Sequence, residues 1–139
     1  MSTDEKLFRI LDANANRARE GLRVVEEHLR LVCDHASLTD RTKKLRHAIT
    51  DAIIGLGAHE RLIMARQSET DVGAQAPTES EGRRTDTAHI VTANLRRAQE
   101  GLRVLEEYSK LLSSDTAADF KRLRFETYTL EKDILLHMR

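Results

Sequence analysis

The sequence predicts an all-α protein: a helical bundle of two duplicated hairpins, four main helices in all, with pseudo-twofold symmetry. Three observations lead there. The composition is 40% apolar, 33% charged and only 4% aromatic, with no Trp and a single Pro, which suits helices with wet outer faces rather than a sandwich or barrel. Apolar residues recur at alternating steps of three and four, one face of a helix. Most informatively, ANANRAREGLRVVEEH at 13–28 returns as ANLRRAQEGLRVLEEY at 93–108, with 11 of 16 positions identical at a constant offset of 80. At 139 residues the chain is one domain's worth, taken as 1–139 with repeat one at 4–66, a loop at 67–85 and repeat two at 86–139.

Each element follows from local pattern. Ser2, Thr3 or Asp4 can cap a first helix running to about residue 34, with its seam at Leu11, Ala15, Ala18, Leu22, Val25, Leu29 and Val32. Asp34 to Thr39 is a polar turn, and Ser37 or Thr39 can cap a second helix reaching Arg66. Gly55 and Gly57 weaken its middle by roughly 1 kcal/mol each relative to Ala, so a kink or close contact is expected there. Residues 67–85 break the periodicity with Ser, Thr, Gly, Pro and Glu. A third helix runs from Asp86 or Thr87 to about Leu112 through Val91, Leu95, Ala98, Leu102 and Leu105, interrupted by Ser109. Ser114 or Asp115 caps a fourth through Phe120, Leu123, Tyr128, Leu130, Ile134 and Leu135. Lys43-Lys44-Leu45-Arg46 resembles Lys121-Arg122-Leu123-Arg124, so the duplication extends into the second helix of each hairpin.

Composition also excludes function classes. Lys plus Arg and Asp plus Glu both number 23, and five aromatics make no base-stacking surface, so no nucleic-acid partner is expected. The longest stretch without polar side chains is Ala52 to Ala58, far too short to span a membrane. Cys33 stands alone, and the N-terminus lacks a signal-like apolar segment, which points to the cytoplasm. No phosphate-binding glycine loop occurs, and the six histidines show no metal-ligand spacing, so any metal would be a hard ion on carboxylates. Cys33 continues a helix face and reads as packing.

The repeat holds more than a core. At 100° per residue, about 80° from the seam, runs the row Asn14, Arg17, Gly21 and His28, matched by Asn94, Arg97, Gly101 and Tyr108. A mid-helix glycine found twice implies a close approach, either by another helix or by a ligand resting on bare backbone. Arg17 and Arg97 need anionic partners, either an internal carboxylate such as Glu20 or Glu26 or a bound phosphate. Glu20, Arg23 and Glu27 read as a solvated face.

DANANRAREGLRVVEE, then Asp71-Val72-Gly73, then ANLRRAQEGLRVLEEY closely resembles a bacterial thiamine-biosynthesis family of hydroxymethylpyrimidine phosphate kinases. Members are often fused to the N-terminal side of thiamine-phosphate synthase. The resemblance covers about residues 7 to 135. It implies an enzyme that transfers a phosphoryl group from ATP to hydroxymethylpyrimidine phosphate, with Mg²⁺ as cofactor. A synthase barrel would need roughly 200 further residues, so synthase activity is not expected of this chain. Such a reaction needs cations that bring two anions together in line rather than a strong base.

Residue roles come from type and position, not from the family. Arg17 and Arg97 are assigned to phosphate contacts, supported by Arg46 and Arg124. Asn14 and Asn94 orient a phosphate or read the aminopyrimidine edge, and Gly21 and Gly101 give the ligand backbone access. Glu20 and Glu100, counted with Arg17 and Arg97 as the catalytic set, join Asp71 as Mg²⁺ candidates. The 67–85 loop is either a lid or a plain connection. Two alternatives stand beside the kinase. One is a helical interaction or regulatory module docking thiamine-phosphate synthase. The other is a purely structural bundle, in which Arg17 and Arg97 would pair with internal carboxylates. A homodimer through an exposed seam is also expected.

Overall fold

The computed structural model describes residues 2–74 and 82–139. The described residues are all-α, and they form five α-helices rather than four. Helix α1 (Thr3–Leu31) begins at Ser2, whose hydroxyl accepts from the Glu5 N–H at 3.1 Å, with Asp4 and Glu5 in the positively polarised first turn. It stops earlier than periodicity predicts. Val32 leaves the seam and is 63% exposed, and Asp34 turns the chain at a φ of 50°. Helix α2 (Ala36–Gly55) is capped by neither expected residue. The Nδ1 of His35 accepts from the Leu38 N–H at 3.2 Å instead.

The glycine pair ends α2 outright. Gly57 adopts a φ of 65°, left-handed backbone that suits glycine. The remaining residues form a separate short helix, α3 (His59–Met64). It folds back on α1 through buried Leu62 and Ala65, with Arg61 lying 4.2 Å above the Phe8 ring. The connection to the second half carries a 3₁₀ turn at Ser68–Thr70. The possible lid therefore falls partly on residues 75–81, outside the described residues. Helix α4 (Thr87–Ser109) is capped by Asp86, and α5 (Ser114–His137) by Ser113, one residue ahead of the expected cap.

Helices α1 and α4 form the centre, with α2 and α3 on α1, α5 on α4, and α2 touching α5. The predicted seams supply most of the core, from Leu11 through Leu29 and from Val91 through Leu105. Ser109, the polar break in the α4 seam, is buried and donates its hydroxyl to the Glu106 carbonyl at 3.3 Å. On α5, Phe120, Leu123, Leu130 and Ile134 face inward. Tyr128 and Leu135, expected beside them, lie instead with Phe125 and Leu136 in an outer exposed row. No helix among the described residues is long and apolar enough to cross a membrane.

The repeated glycines are where α1 and α4 cross. A Cβ on Gly21 would lie 2.7 Å from the Asn94 carbonyl oxygen and 3.5 Å from the Ala98 nitrogen. A Cβ on Gly101 would lie 3.1 Å from the Asn14 carbonyl oxygen and 3.4 Å from the Ala18 nitrogen. The contacts are reciprocal, so the two helices run antiparallel and nearly touch backbone to backbone.

The repeated Arg-x-x-Glu also has a packing role. Glu26, 3% exposed, accepts from Arg23 at 2.7 Å on its own helix and from the Arg46 Nε on α2 at 3.2 Å. Glu106 does the same with Arg103 at 3.0 Å and with Arg124 on α5 at 3.0 Å. Each buried carboxylate thus clamps the two helices of one hairpin, and its paired arginines meet the desolvation cost that an isolated charge would carry.

Two outcomes test this packing. Gly21→Ala should destabilise the fold, because about 1–3 kcal/mol of overpacking exceeds the roughly 1 kcal/mol gained in helix propensity. Gly101→Ala, with more room, should cost less, and urea denaturation of both variants reads the difference. Glu26→Gln should lower unfolding free energy by about 1–3 kcal/mol, since Arg46 loses a buried charged partner. In the same assay the exposed Glu20→Gln should stay within about 0.5 kcal/mol of wild type.

Candidate functional site

With the seam buried against α4 and α2, the Asn14–Arg17 row lies at the edge of the α1–α4 crossing. Asn14 is itself buried, and its amide donates to the Ile10 carbonyl at 2.9 Å. Its Oδ1 then accepts from the Arg17 Nη1 at 2.7 Å. A backbone carbonyl thus orients the amide, and the amide orients the guanidinium. In the second repeat Asn94 donates to Ile90 at 2.8 Å in the same way. Arg97 is exposed and has no partner among the described residues. Neither Arg17 nor Arg97 forms an ion pair with a carboxylate among the described residues, contrary to what the structural-bundle reading requires. Glu20 and Glu100 are exposed.

Other expected members of the site are engaged elsewhere. Gly21 and Gly101 offer no bare backbone to a ligand, because the opposite helix fills that space. Arg46 and Arg124 are held by Glu26 and Glu106 and do not add free charge to the row. On Arg124, burial lowers the pKa, but hydrogen bonds to Tyr128 and Glu106 outweigh it and leave the guanidinium more firmly protonated. Among the described residues no three His, Cys, Asp or Glu side chains gather as a metal cluster, so Glu20, Glu100 and Asp71 do not form one.

Asp71 belongs to a second feature that sequence reasoning missed. Where the connector after α3 folds onto α1, it encloses a hollow of about 150 Å³. The α1 wall is Arg9, Asp12, Ala13 and Asn16, and the connector wall is Arg66, Gln67, Ser68 and Asp71. Asp12 is 6% exposed and holds Arg66 in a two-pronged bond, Nε to Oδ2 at 2.7 Å and Nη2 to Oδ1 at 2.8 Å. Those hydrogen bonds raise the Arg66 pKa. Asn16 reaches Asp12 at 3.4 Å and accepts from Arg19 at 2.7 Å. Arg19 also donates to the Thr50 hydroxyl at 3.3 Å. Burial lowers the Arg19 pKa, and the Arg66 charge acts in the same direction while Asp12 opposes both. One signal for this hollow was available. Asp12, Asn16 and Arg19 depart from the repeat, with Thr92, Arg96 and Gln99 at the same offset.

A thiamine-phosphate synthase of Synechocystis is 44% identical over 129 residues, 93% of this chain and 36% of its own. One from Rhodopirellula baltica is 40% identical over 95% of this chain and 35% of its own. One from Thermosynechococcus vestitus is 40% identical over 98% and 37%. The chain therefore spans a little over a third of the length of the curated relatives it matches. No solved structure matches it.

These relatives are enzymes of thiamine biosynthesis, the context that the doubled motif implied. They also correct one expectation: proteins aligned with nearly all of this chain are named for a synthase, so the ATP-dependent kinase assignment does not stand. The match of residues 9–133 to the family's own pattern covers almost the whole length, and the chain belongs to the ThiD2 family.

Proposed function

We propose that this chain acts in the cytoplasm as the helical part of a thiamine-phosphate synthase system, where the Arg17–Arg97 row holds the phosphate of a small-molecule intermediate. The similarity to synthases along nearly the full chain supports the pathway. The observation that carries the role is the pair of repeated arginines that no carboxylate neutralises. The other arginine kept in both copies does meet an acid: Arg23 at Glu26 and Arg103 at Glu106, carboxylates that also hold Arg46 and Arg124 on the neighbouring helices. A phosphate monoester carries nearly two negative charges at neutral pH and accepts the forked hydrogen bonds of guanidinium. Arg17 is already oriented by Asn14, so less side-chain freedom is lost on binding. The proposal calls on neither ATP nor Mg²⁺, two expectations that rested on the kinase reading.

A second reading is favoured by the outer face of α5. Phe125, Tyr128, Leu135 and Leu136 form an exposed apolar row on a helix whose other face is already packed. In this reading the row seats the rest of a synthase, and the chain contributes by contact.

Calorimetric titration of the purified chain with the phosphorylated pyrimidine and thiazole precursors of thiamine phosphate tests the first reading. At least one should bind. The Arg17→Ala/Arg97→Ala double variant, with an unchanged thermal melt, should bind about tenfold or more weakly, and added salt should reduce wild-type affinity. Absence of measurable binding by wild type to both precursors and to thiamine phosphate would overturn it.

A further inference from the structure

We infer that the outer face of α5, with the groove between α2 and α5, is a docking surface for an acidic amphipathic helix of a partner protein. The inference deepens the second reading above, in which α5 seats a partner, and rests on it. It does not call on Arg17 or Arg97.

Charge gives the partner its sign. At 100° per residue, Lys121, Phe125, Tyr128, Lys132, Leu135 and Leu136 share about 100° of arc on α5, and all six are exposed. No Asp or Glu of α5 falls within that arc. Arg139 joins Tyr128, Lys132 and Leu136 around an open hollow at the end of the strip. Lys121, Lys132 and Arg139 form no ion pair among the described residues. The acids on the flank toward α2 are already engaged, Glu126 with Arg122 at 3.1 Å and Asp133 with Arg41 at 2.8 Å. Glu131, partly buried at the other edge, is one acid against three cations. An apolar strip threaded with unneutralised cations complements a helix whose apolar face is edged with acids.

The groove gives that apolar face its anchor. Beside Phe125, a hollow of about 640 Å³ lies between α2 and α5, lined by Leu45, Ala48 and Leu130. Its size would suit a small molecule, but such sites also need a few free polar groups to orient the ligand. Here the polar rim is engaged: Arg41 with Asp133, Lys44 with Asp40 at 2.8 Å, and Arg122 with Glu126. Thr129 donates to the Phe125 carbonyl at 3.5 Å. Apolar side chains from a partner helix need no such group.

The internal duplication shows that hairpin packing does not demand the strip. Lys43 on α2 corresponds to Lys121 on α5, and Leu45 and Leu123 are buried alike. Yet His47 and Thr50 stand where α5 has Phe125 and Tyr128. Helix α2 has already ended where α5 carries Leu135 and Leu136. The first hairpin folds without these apolar residues, so in the second they serve something outside it.

Two other occupants fit less well. An antiparallel second copy that pairs Phe125 with Leu135 also sets Lys121 against Arg139, cation on cation. A bilayer leaves the groove unfilled, and Asp119 and Glu126 on the flank repel anionic lipid.

The test measures binding of two labelled synthetic helices of roughly 18 residues, each with a Leu face at steps of three and four. One carries Glu along both edges of that face, and the other carries Lys. The Glu helix should bind the full chain and weaken as salt is added. Lys132→Glu should weaken it about tenfold, while Lys43→Glu, the same charge change on α2, should stay within about twofold of wild type. Phe125→Ala should weaken it about tenfold with an unchanged thermal melt. If the Lys helix binds as tightly and Phe125→Ala weakens both, the acidic partner is overturned and α5 remains a contact surface. If neither helix binds up to about 1 mM, the inference and the second reading fall together. Equal sensitivity to Lys43→Glu and Lys132→Glu overturns the inference as unspecific attraction. Co-sedimentation with phosphatidylglycerol vesicles, or a dimer lost in Phe125→Ala, in place of helix binding, overturns it in favour of a membrane or a second copy.

Discussion

The crossing of α1 and α4 at Gly21 and Gly101 is the constraint on which the rest of the fold depends. Each glycine lets its helix approach the backbone and the small alanine of the other, Gly21 against Asn94 and Ala98, and Gly101 against Asn14 and Ala18, with the tighter fit at Gly21. It brings the two longest seams into contact along Ala18, Leu22 and Val25 on one side and Ala98, Leu102 and Leu105 on the other. It also fixes how far Arg17 and Arg97 stand from the core. A wider separation would let water into the seam and draw the two rows apart. The roughly 1 kcal/mol that each glycine costs its helix is the local penalty for a global register.

Beyond that crossing, function and packing divide the polar repeat between them. Glu26 and Glu106, with their arginines, are committed to holding hairpins together. The Asn–Arg row is committed to nothing internal beyond its own orientation. A neutral chain can thus keep local cation in reserve, because its acids are spent on particular arginines and not on others.

Much of this was legible in the sequence, for physical reasons that differ by residue. The seams were legible because burial on a helix recurs every three or four residues. The close approach at the glycines was legible as one of two choices, since the cost of a mid-helix glycine demands some neighbour. The choice itself was not, because ligand and helix backbone leave the same vacancy. The Glu26 clamp was missed because its partner, Arg46, sits on another helix, and only the angle between helices brings them together. The hollow is not legible because its walls come from residues 9 and 71, joined by a chain reversal at Gly57 where the sequence pattern predicts only a kink or a close contact. Caps slipped by a residue or two because Ser113 and Ser114 cap equally well, and because His35, outside the usual capping residues, accepts through its ring nitrogen instead of Ser37 or Thr39.

The buried clamps have one further consequence. Each lies wholly within its own hairpin, and among the described residues the ion pair that joins one hairpin to the other is the exposed Arg41–Asp133 contact at 2.8 Å. Recognition between the halves is therefore a matter of shape and apolar fit rather than of charge. Ionic strength acts weakly on that kind of recognition. Separately made halves would find each other at least as readily in a concentrated salt excluded from apolar surface as in dilute buffer, and an exchange of hairpins between two molecules would meet no electrostatic objection.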